Sequence, residues 1–296
     1  MTGLLIKRGK FNFIYYDFSN FNRVKIESIL EFYKDYSFYD FNTTQEYIEF
    51  LEAIKLPWLE QENVRKEVIK QKAKELNINI NDFSNLELLE SNLDKEFYNK
   101  ALQKEILECD EKTLLDELRI LANILNQKSK YEHLPEPLRL EYLLALILGR
   151  KYGIDELSSN LIYNEDGEPL SYAPGGKVDL EFKDFLIEAT MIRNKNQQLN
   201  SETTSIARHM KESKDKKNIS LRTALIAPFI HFDVALFFKF CAKEFESKIA
   251  PLSIKNFIKL IEKSLNFSDF QRNFDHFVNE LLEKKTQDYI TKINKD

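Results

Sequence analysis

A chain of 296 residues that is 43% hydrophobic and 31% charged has a globular composition, which excludes a disordered polyelectrolyte and leaves room for two domains or one large one. The 23 Phe and 13 Tyr supply bulk for a core, while only 7 Gly and 7 Pro over this length favour long helices. A net charge of −5 excludes a global polyanion binder, and two distant cysteines, Cys109 and Cys241, exclude a disulfide framework or a zinc ribbon. The N-terminus lacks the apolar core of a signal peptide, and the longest apolar run, "YLLALIL" (142–148), is too short to span a bilayer. The expected setting is therefore the reducing cytoplasm, with no membrane association.

In chain order, residues 4–8 and 11–17 read as a hairpin around Gly9-Lys10. Ser19 or Asn20 caps a helix to about Tyr36, and more helix is expected over about 44–54, 60–76, 84–107 and 111–127. Segment 60–110 is so charged that its helices must have large wet faces. The polar stretch "NQKSKYEHLPEPLRL" (126–140) marks a boundary between a mostly helical linker or docking domain at 1–130 and a second domain at 131–296. That second domain opens with an apolar helix over 137–152, with Pro137 in its first turn. A looser stretch, 153–177, precedes strands over 178–183 and 185–192. A helix near 200–213, a strand near 221–227, a helix at 231–246 and helices near 253–265 and 270–290 complete it. The order describes an α/β domain with a small mixed sheet flanked by helices.

Two carboxylates stand out in the strand pair. Asp179 and Glu181 share one face of "VDLEFK", and Leu186, Glu188 and Thr190 share one face of the second strand. A two-residue turn at Lys183-Asp184 sets Asp179 directly opposite Glu188, with Cβ atoms about 4.5–5.5 Å apart. Opposed like charges on a half-buried sheet are tolerated if one is protonated, if a basic side chain sits between them, or if a divalent cation does. Two hard oxygen ligands suit Mg²⁺. The plainer alternative is that Glu188 bonds a lysine such as Lys177 while Asp179 faces water.

Glu141 places an acid on the stripe Leu138, Glu141, Ala145, Leu148, a helix face otherwise apolar. Such a charge needs a partner: Arg139 or Arg150, or the cation held by Asp179 and Glu188. The helix after the second strand carries Glu202, Ser205, Ile206 and His209 near one face, so Glu202 is a fourth candidate acid. Residues 191–223 hold eight Lys/Arg against three acids, a local +5 that leaves −10 for the rest of the chain. Arg193, Lys195, Arg208 and His209 are candidate contacts to phosphate. Several acids around Mg²⁺ beside a basic strip suit hydrolysis of a phosphodiester.

The segments "PLRLEYLLAL", "GGKVDLEF" and "LIEATMI…Q…E…RHM" resemble the catalytic region of AlwI-type type IIS restriction endonucleases, relatives of nicking endonucleases within the PD-(D/E)XK superfamily. Upstream, "TGLLIKRGKFNFIYYD" is similar to the segment between their recognition and cleavage domains. The resemblance implies a restriction-endonuclease-like core with Asp179 and Glu188 as metal-binding acids and Glu141 as the upstream helical acid. It also implies Glu202 as a catalytic acid in place of the usual motif lysine, whose position holds Thr190; Lys195, Gln197 or Gln198 are candidates to orient the water. Larger relatives carry an N-terminal recognition domain, so a separate recognition subunit or a second nuclease subunit is an expected partner beside double-stranded DNA. The expectation is a Mg²⁺-dependent endonuclease of a restriction-modification system that cuts one strand per centre. The alternatives are an idle docking subunit of such a complex, and a repair or recombination nuclease.

Overall fold

The computed structural model describes residues 5–8, 15–18, 27, 30–31, 34, 42–53, 62–80, 86–155, 157–163, 168–172, 177–217 and 221–295. The chain divides into two compact units, Met1–Ala101 with Asn164–Glu168, and Leu102–Tyr163 with Pro169–Asp296. Most of the helix expected from Ser19 to Tyr36 lies outside the described residues.

In the first unit, β1 (Leu5–Arg8) and β2 (Tyr15–Phe18) pair antiparallel with Leu5 opposite Phe18, as the hairpin reading expects. Helices α1 (Thr44–Ala53) and α2 (Glu62–Leu76) follow, and α3 (Leu86–Glu108) runs on into the second unit. Ile69, Ala73, Leu76 and Leu93 form a small buried cluster, with Ile80 and Leu89 packed against it.

The second unit holds the larger core. Asp110 caps α4 (Glu111–Leu121) by accepting from the Thr113 N–H at 2.9 Å. This helix is shorter than the expected 111–127. Asn123 turns left-handed (φ 59°) and the Ile124 N–H closes back on the Arg119 carbonyl at 2.8 Å, a Schellman stop. The stretch after it is polar but well tied. Glu117 accepts from Ser129 Oγ at 2.5 Å and from the Lys130 N–H at 2.7 Å, and Glu105 takes Lys130 Nζ and Tyr131 Oη, both at 2.6 Å.

Helix α5 (Glu136–Tyr152) starts with Pro137 in its first turn and is buried all round from Leu140 to Gly149. Gly149 packs close against Ile106: a Cβ there would lie 2.4 Å from Ile106 Cδ1, and the isoleucine would have to shift to admit it. Short strands β3 (Leu157–Ser159), β4 (Ile162–Tyr163) and β5 (Pro169–Ser171) follow, then β6 (Leu180–Phe182) and β7 (Phe185–Ala189). Next come a short helix α6 (Lys195–Gln197), a π-helical segment (Gln198–Glu202) and α7 (Thr203–Lys217). Strand β8 (Arg222–Ala227), helix α8 (Phe232–Glu244) and strand β9 (Lys248–Ser253) precede α9 (Ile254–Lys263), α10 (Phe267–Glu283) and α11 (Thr286–Asn294).

The main sheet has the order β3-β6-β7-β8-β9, antiparallel from β3 to β7 and parallel from β7 to β9. It is the mixed sheet flanked by helices that the sequence implies, with two differences. Strand β9, "KIAPLS", adds an edge strand where no strand was expected; Pro251 is tolerated there because an edge leaves one side of the ladder unpaired. The single helix expected near 270–290 is two, broken where Lys284 is extended (ψ 161°).

One sheet face is closed by α10. Phe185 packs against Phe270 and Phe274 with centroids 4.9 and 5.0 Å apart, and Phe182 packs against Phe267 at 5.3 Å. Each buried ring contributes about 1.5–3 kcal/mol of burial. At the edge of this cluster Arg222 grips Asp275 with Nε at 2.8 Å and Nη2 at 2.9 Å, and also reaches Asp184. The Arg222 N–H donates to the Asp184 carbonyl at 2.8 Å, so β8 holds the β6–β7 turn in place.

Candidate active site

The β6–β7 hairpin has the register that the sequence implies: Leu180 faces Ile187, Glu181 faces Leu186 and Phe182 faces Phe185. Lys183 takes φ 54° at the first turn position, as the primed turns of two-residue hairpins require. Carried one residue further, this register sets Asp179 opposite Glu188. The two ends are cross-bonded: Asp179 Oδ2 accepts from the Ala189 N–H at 2.7 Å, and the Glu188 carboxylate accepts from the Asp179 N–H.

Glu188 is only 6% exposed, and its partner comes from α7. His209, 7% exposed, lies with Nδ1 2.7 Å from Glu188 Oε1. His209 Nε2 is also buried and has no hydrogen-bond partner among the described residues. Burial pushes Glu188 above the ordinary carboxylate range, against the pull of His209 and the Asp179 N–H. The bond to Glu188 pushes His209 above its ordinary value, outweighing burial. The sequence offers His209 as a phosphate contact, and a lysine such as Lys177 as the partner of Glu188 only in the plainer alternative to a metal site; the charge that meets Glu188 is His209. The signal for the pairing was the apolar stripe of α7, since a histidine beside the buried Ile206 faces the sheet.

Glu141 is 4% exposed on α5, which packs against β3, β5, β6 and β7. The Tyr163 hydroxyl is pushed up to about 12, first by burial and further by the charge of Glu141. Glu202 closes the π-helical segment, two turns before His209; its side chain lies outside the described residues. The π segment is anchored by Gln198, fully buried, whose Nε2 donates to the Ile192 and Phe229 carbonyls at 3.1 and 2.9 Å while its Oε1 accepts from the His231 N–H at 3.2 Å. Gln198 is thus bound to backbone, and Gln197 is exposed. Thr190, at the position of the motif lysine, is buried; its Oγ1 accepts from the Ile192 N–H at 3.2 Å.

Arg193, Lys195 and Arg208 are exposed. Lys195 pairs with Asp233 at 2.7 Å, and the Arg193 carbonyl accepts from His231 Nε2 at 2.8 Å. Among the described residues, no three His, Cys, Asp or Glu side chains gather as a metal-binding group. The facing pair Asp179 and Glu188 nonetheless offers two hard oxygen donors, which fits a small divalent cation better than a soft one.

A five-stranded mixed sheet flanked by helices gives the second unit the α/β architecture of the restriction-endonuclease fold. The solved small subunit (R.BspD6I2) of the heterodimeric restriction endonuclease R.BspD6I is similar at a TM-score of 0.50 and 21% identity, over 62% of this chain and 97% of that chain. No curated protein matches. The profile of the AlwI restriction endonuclease matches residues 1–260, and the chain belongs to that family. It is a type II site-specific deoxyribonuclease acting on DNA, of a class that generally uses a divalent metal. Among the described residues, no helix is long and apolar enough to cross a membrane.

Proposed function

We propose that this chain is the Mg²⁺-dependent catalytic component of a type IIS-like restriction system, cleaving one DNA strand per centre within a nuclease domain at 131–296. The observation that carries this reading is the cross-bonded pair Asp179 and Glu188 at the end of the β6–β7 hairpin. Asp179 and Glu188 would hold the cation, with Glu141 and Glu202 as further acids. When bound, Mg²⁺ supplies charge stabilisation at the phosphorus and lowers the pKa of the attacking water. Asp179 is oriented by the Ala189 N–H, so its carboxylate is fixed before any ligand arrives.

His209 holds Glu188 at 2.7 Å, two residues before Thr190, where the superfamily places its lysine. In this reading His209 holds the buried Glu188 carboxylate in place, and a cation bound there would compete with the histidine for it. Arg193, Lys195 and Arg208 contact the DNA backbone, and a recognition subunit or second nuclease subunit supplies what one centre does not. The direct test is plasmid cleavage with Mg²⁺. Asp179→Asn and Glu188→Gln should each lose cleavage by a hundredfold or more; Asp179→Asn should still melt near the wild-type temperature, because an amide oxygen can still accept from the Ala189 N–H, whereas Glu188→Gln deprives His209 of its partner and should melt lower. Retained cleavage in either variant would sink the reading.

A further inference from the structure

We infer that Cys109 and Lys130 form a modification site, at which molecular oxygen joins the two side chains through a single oxygen atom, sulfur–oxygen–nitrogen. Cys109 follows the end of α3 and is 4% exposed, with Sγ 3.0 Å from Lys130 Nζ. Glu105 Oε1 and Tyr131 Oη each lie 3.4 Å from the same sulfur. Glu105 Oε1 in turn accepts from Lys130 Nζ and Tyr131 Oη, both at 2.6 Å. A thiol, an amine, a carboxylate and a phenol therefore meet around one point, and the nuclease reading uses none of them.

Hydrogen bonding does not account for the sulfur. Glu105 satisfies Lys130 and Tyr131 by itself, and a thiol is a weak donor and a weak acceptor. A charged amine beside a thiol is, however, a setting in which cysteines react. The Lys130 side chain is 38% exposed, so the cluster meets solvent on the lysine side. Cys241 is the contrast. It is equally buried, no lysine bonds it among the described residues, and burial pushes its thiol up to about 11.

The 3.0 Å gap selects the product. A direct sulfur–nitrogen bond would require the two atoms to close to a covalent distance, against the carboxylate that holds the lysine. One inserted oxygen spans nearly the whole gap. Molecular oxygen adds to the thiol to give a hydroperoxide on sulfur, S–O–O–H. Lys130 passes one proton to Glu105, and the freed amine attacks the oxygen bound to sulfur. The O–O bond breaks, and the departing hydroxide takes a proton from the attacking nitrogen and leaves as water. Glu105 then releases its proton to solvent. Sulfur and nitrogen each lose two electrons, and the two oxygen atoms gain the four. The bridge ties the end of α3 to the stretch that leads into α5 and closes the loop holding α4. Small thiols reverse it by supplying four electrons, so a reducing setting keeps the loop open.

Mass spectrometry of the whole chain, aged in air-saturated buffer without DNA or metal, tests the site. Wild type should gain about 14 Da, one oxygen added and two hydrogens lost, and digestion should yield the Cys109 and Lys130 peptides joined. Under oxygen-18 gas the gain should rise by about 2 Da, and dithiothreitol should remove it. Cys241 should stay open to alkylation after unfolding. Lys130→Arg, which keeps the charge beside Glu105, and Cys109→Ser should both stay unbridged, and Lys130→Arg should melt near the wild-type temperature. The inference is overturned if aged wild type shows only free Cys109, or a sulfinic acid on Cys109 with no cross-link. It also fails if a loss of about 2 Da reports a direct sulfur–nitrogen bond, or if Lys130→Arg cross-links as wild type does.

Discussion

Glu188 and His209 form a pair that neither residue type would tolerate alone at this burial. Removing one partner strands a buried charge, whereas together they satisfy each other. Both groups have folded-state pKa values above their ordinary ones, so both contribute stability at low pH that is lost as pH rises. The loss begins above 4.5 for Glu188 and above 6.5 for His209, and it ends once pH passes their folded values. Urea unfolding from pH 5 to 9 should therefore show stability falling as pH rises. The slope should flatten in the double variant Glu188→Gln, His209→Gln. Arg222 gives the opposite limb. Burial alone would push Asp275 up, but Arg222 and Lys248 outweigh it and hold Asp275 below 3.8. That contribution is present above 3.8 and is lost as pH falls through the lower folded value. Arg222→Met should cost about 2–4 kcal/mol at neutral pH, less than a fully buried pair because the carboxylates keep some water.

At the scale of elements, scarce glycine leaves its mark on how helices end. Asn77, Asn123 and Glu246 each turn left-handed after α2, α4 and α8, with φ of 56°, 59° and 47°. In each case the next N–H closes five residues back: Ile78 on Ala73, Ile124 on Arg119 and Ser247 on Ala242. Asparagine tolerates this backbone and glutamate does not do so readily, so Glu246 carries strain that a glycine would remove. Glu246 is exposed, and Glu246→Gly should stabilise the fold by about 0.5–1 kcal/mol, read as a raised urea midpoint at constant slope. The β6–β7 hairpin shows the opposite case, a local sequence that states its own geometry. Alternation on both strands and a two-residue turn leave one register that buries Leu180, Phe182, Phe185 and Ile187 together, and the structure has that register.

At the scale of the whole molecule, cation binding should couple to folding, since only the folded hairpin sets Asp179 against Glu188. Mg²⁺ at a hundred times its dissociation constant should stabilise the wild type by about 2.7 kcal/mol, and the double variant Asp179→Asn, Glu188→Gln should not respond. The shift in melting temperature should shrink at lower pH, where the proton on His209 competes with the cation for Glu188. A wild type whose melting ignores Mg²⁺ and Mn²⁺ would count heavily against the site.

The sequence by itself determined whatever depends on neighbours in the chain. Periodicity gave α5 to within a residue, because its apolar run and Pro137 are local facts. Alternation gave the hairpin register from Leu180–Ile187 to Phe182–Phe185, because a strand has a period of two and a two-residue turn leaves no slack. Only the tertiary structure decided which charge would meet Glu188. Lys177 and His209 were both available along the chain, and the packing of α7 brought His209 to 2.7 Å while Lys177 stayed exposed. It also decided that "KIAPLS" is a strand, since six residues with a proline gain a partner only from β8. It decided too that the polar stretch after α4 is tied down, since it folds back on Glu117 of α4 and on Glu105 of α3. Partners distant in sequence leave no period to read, and the sheet and its helices select them by which faces they bring together.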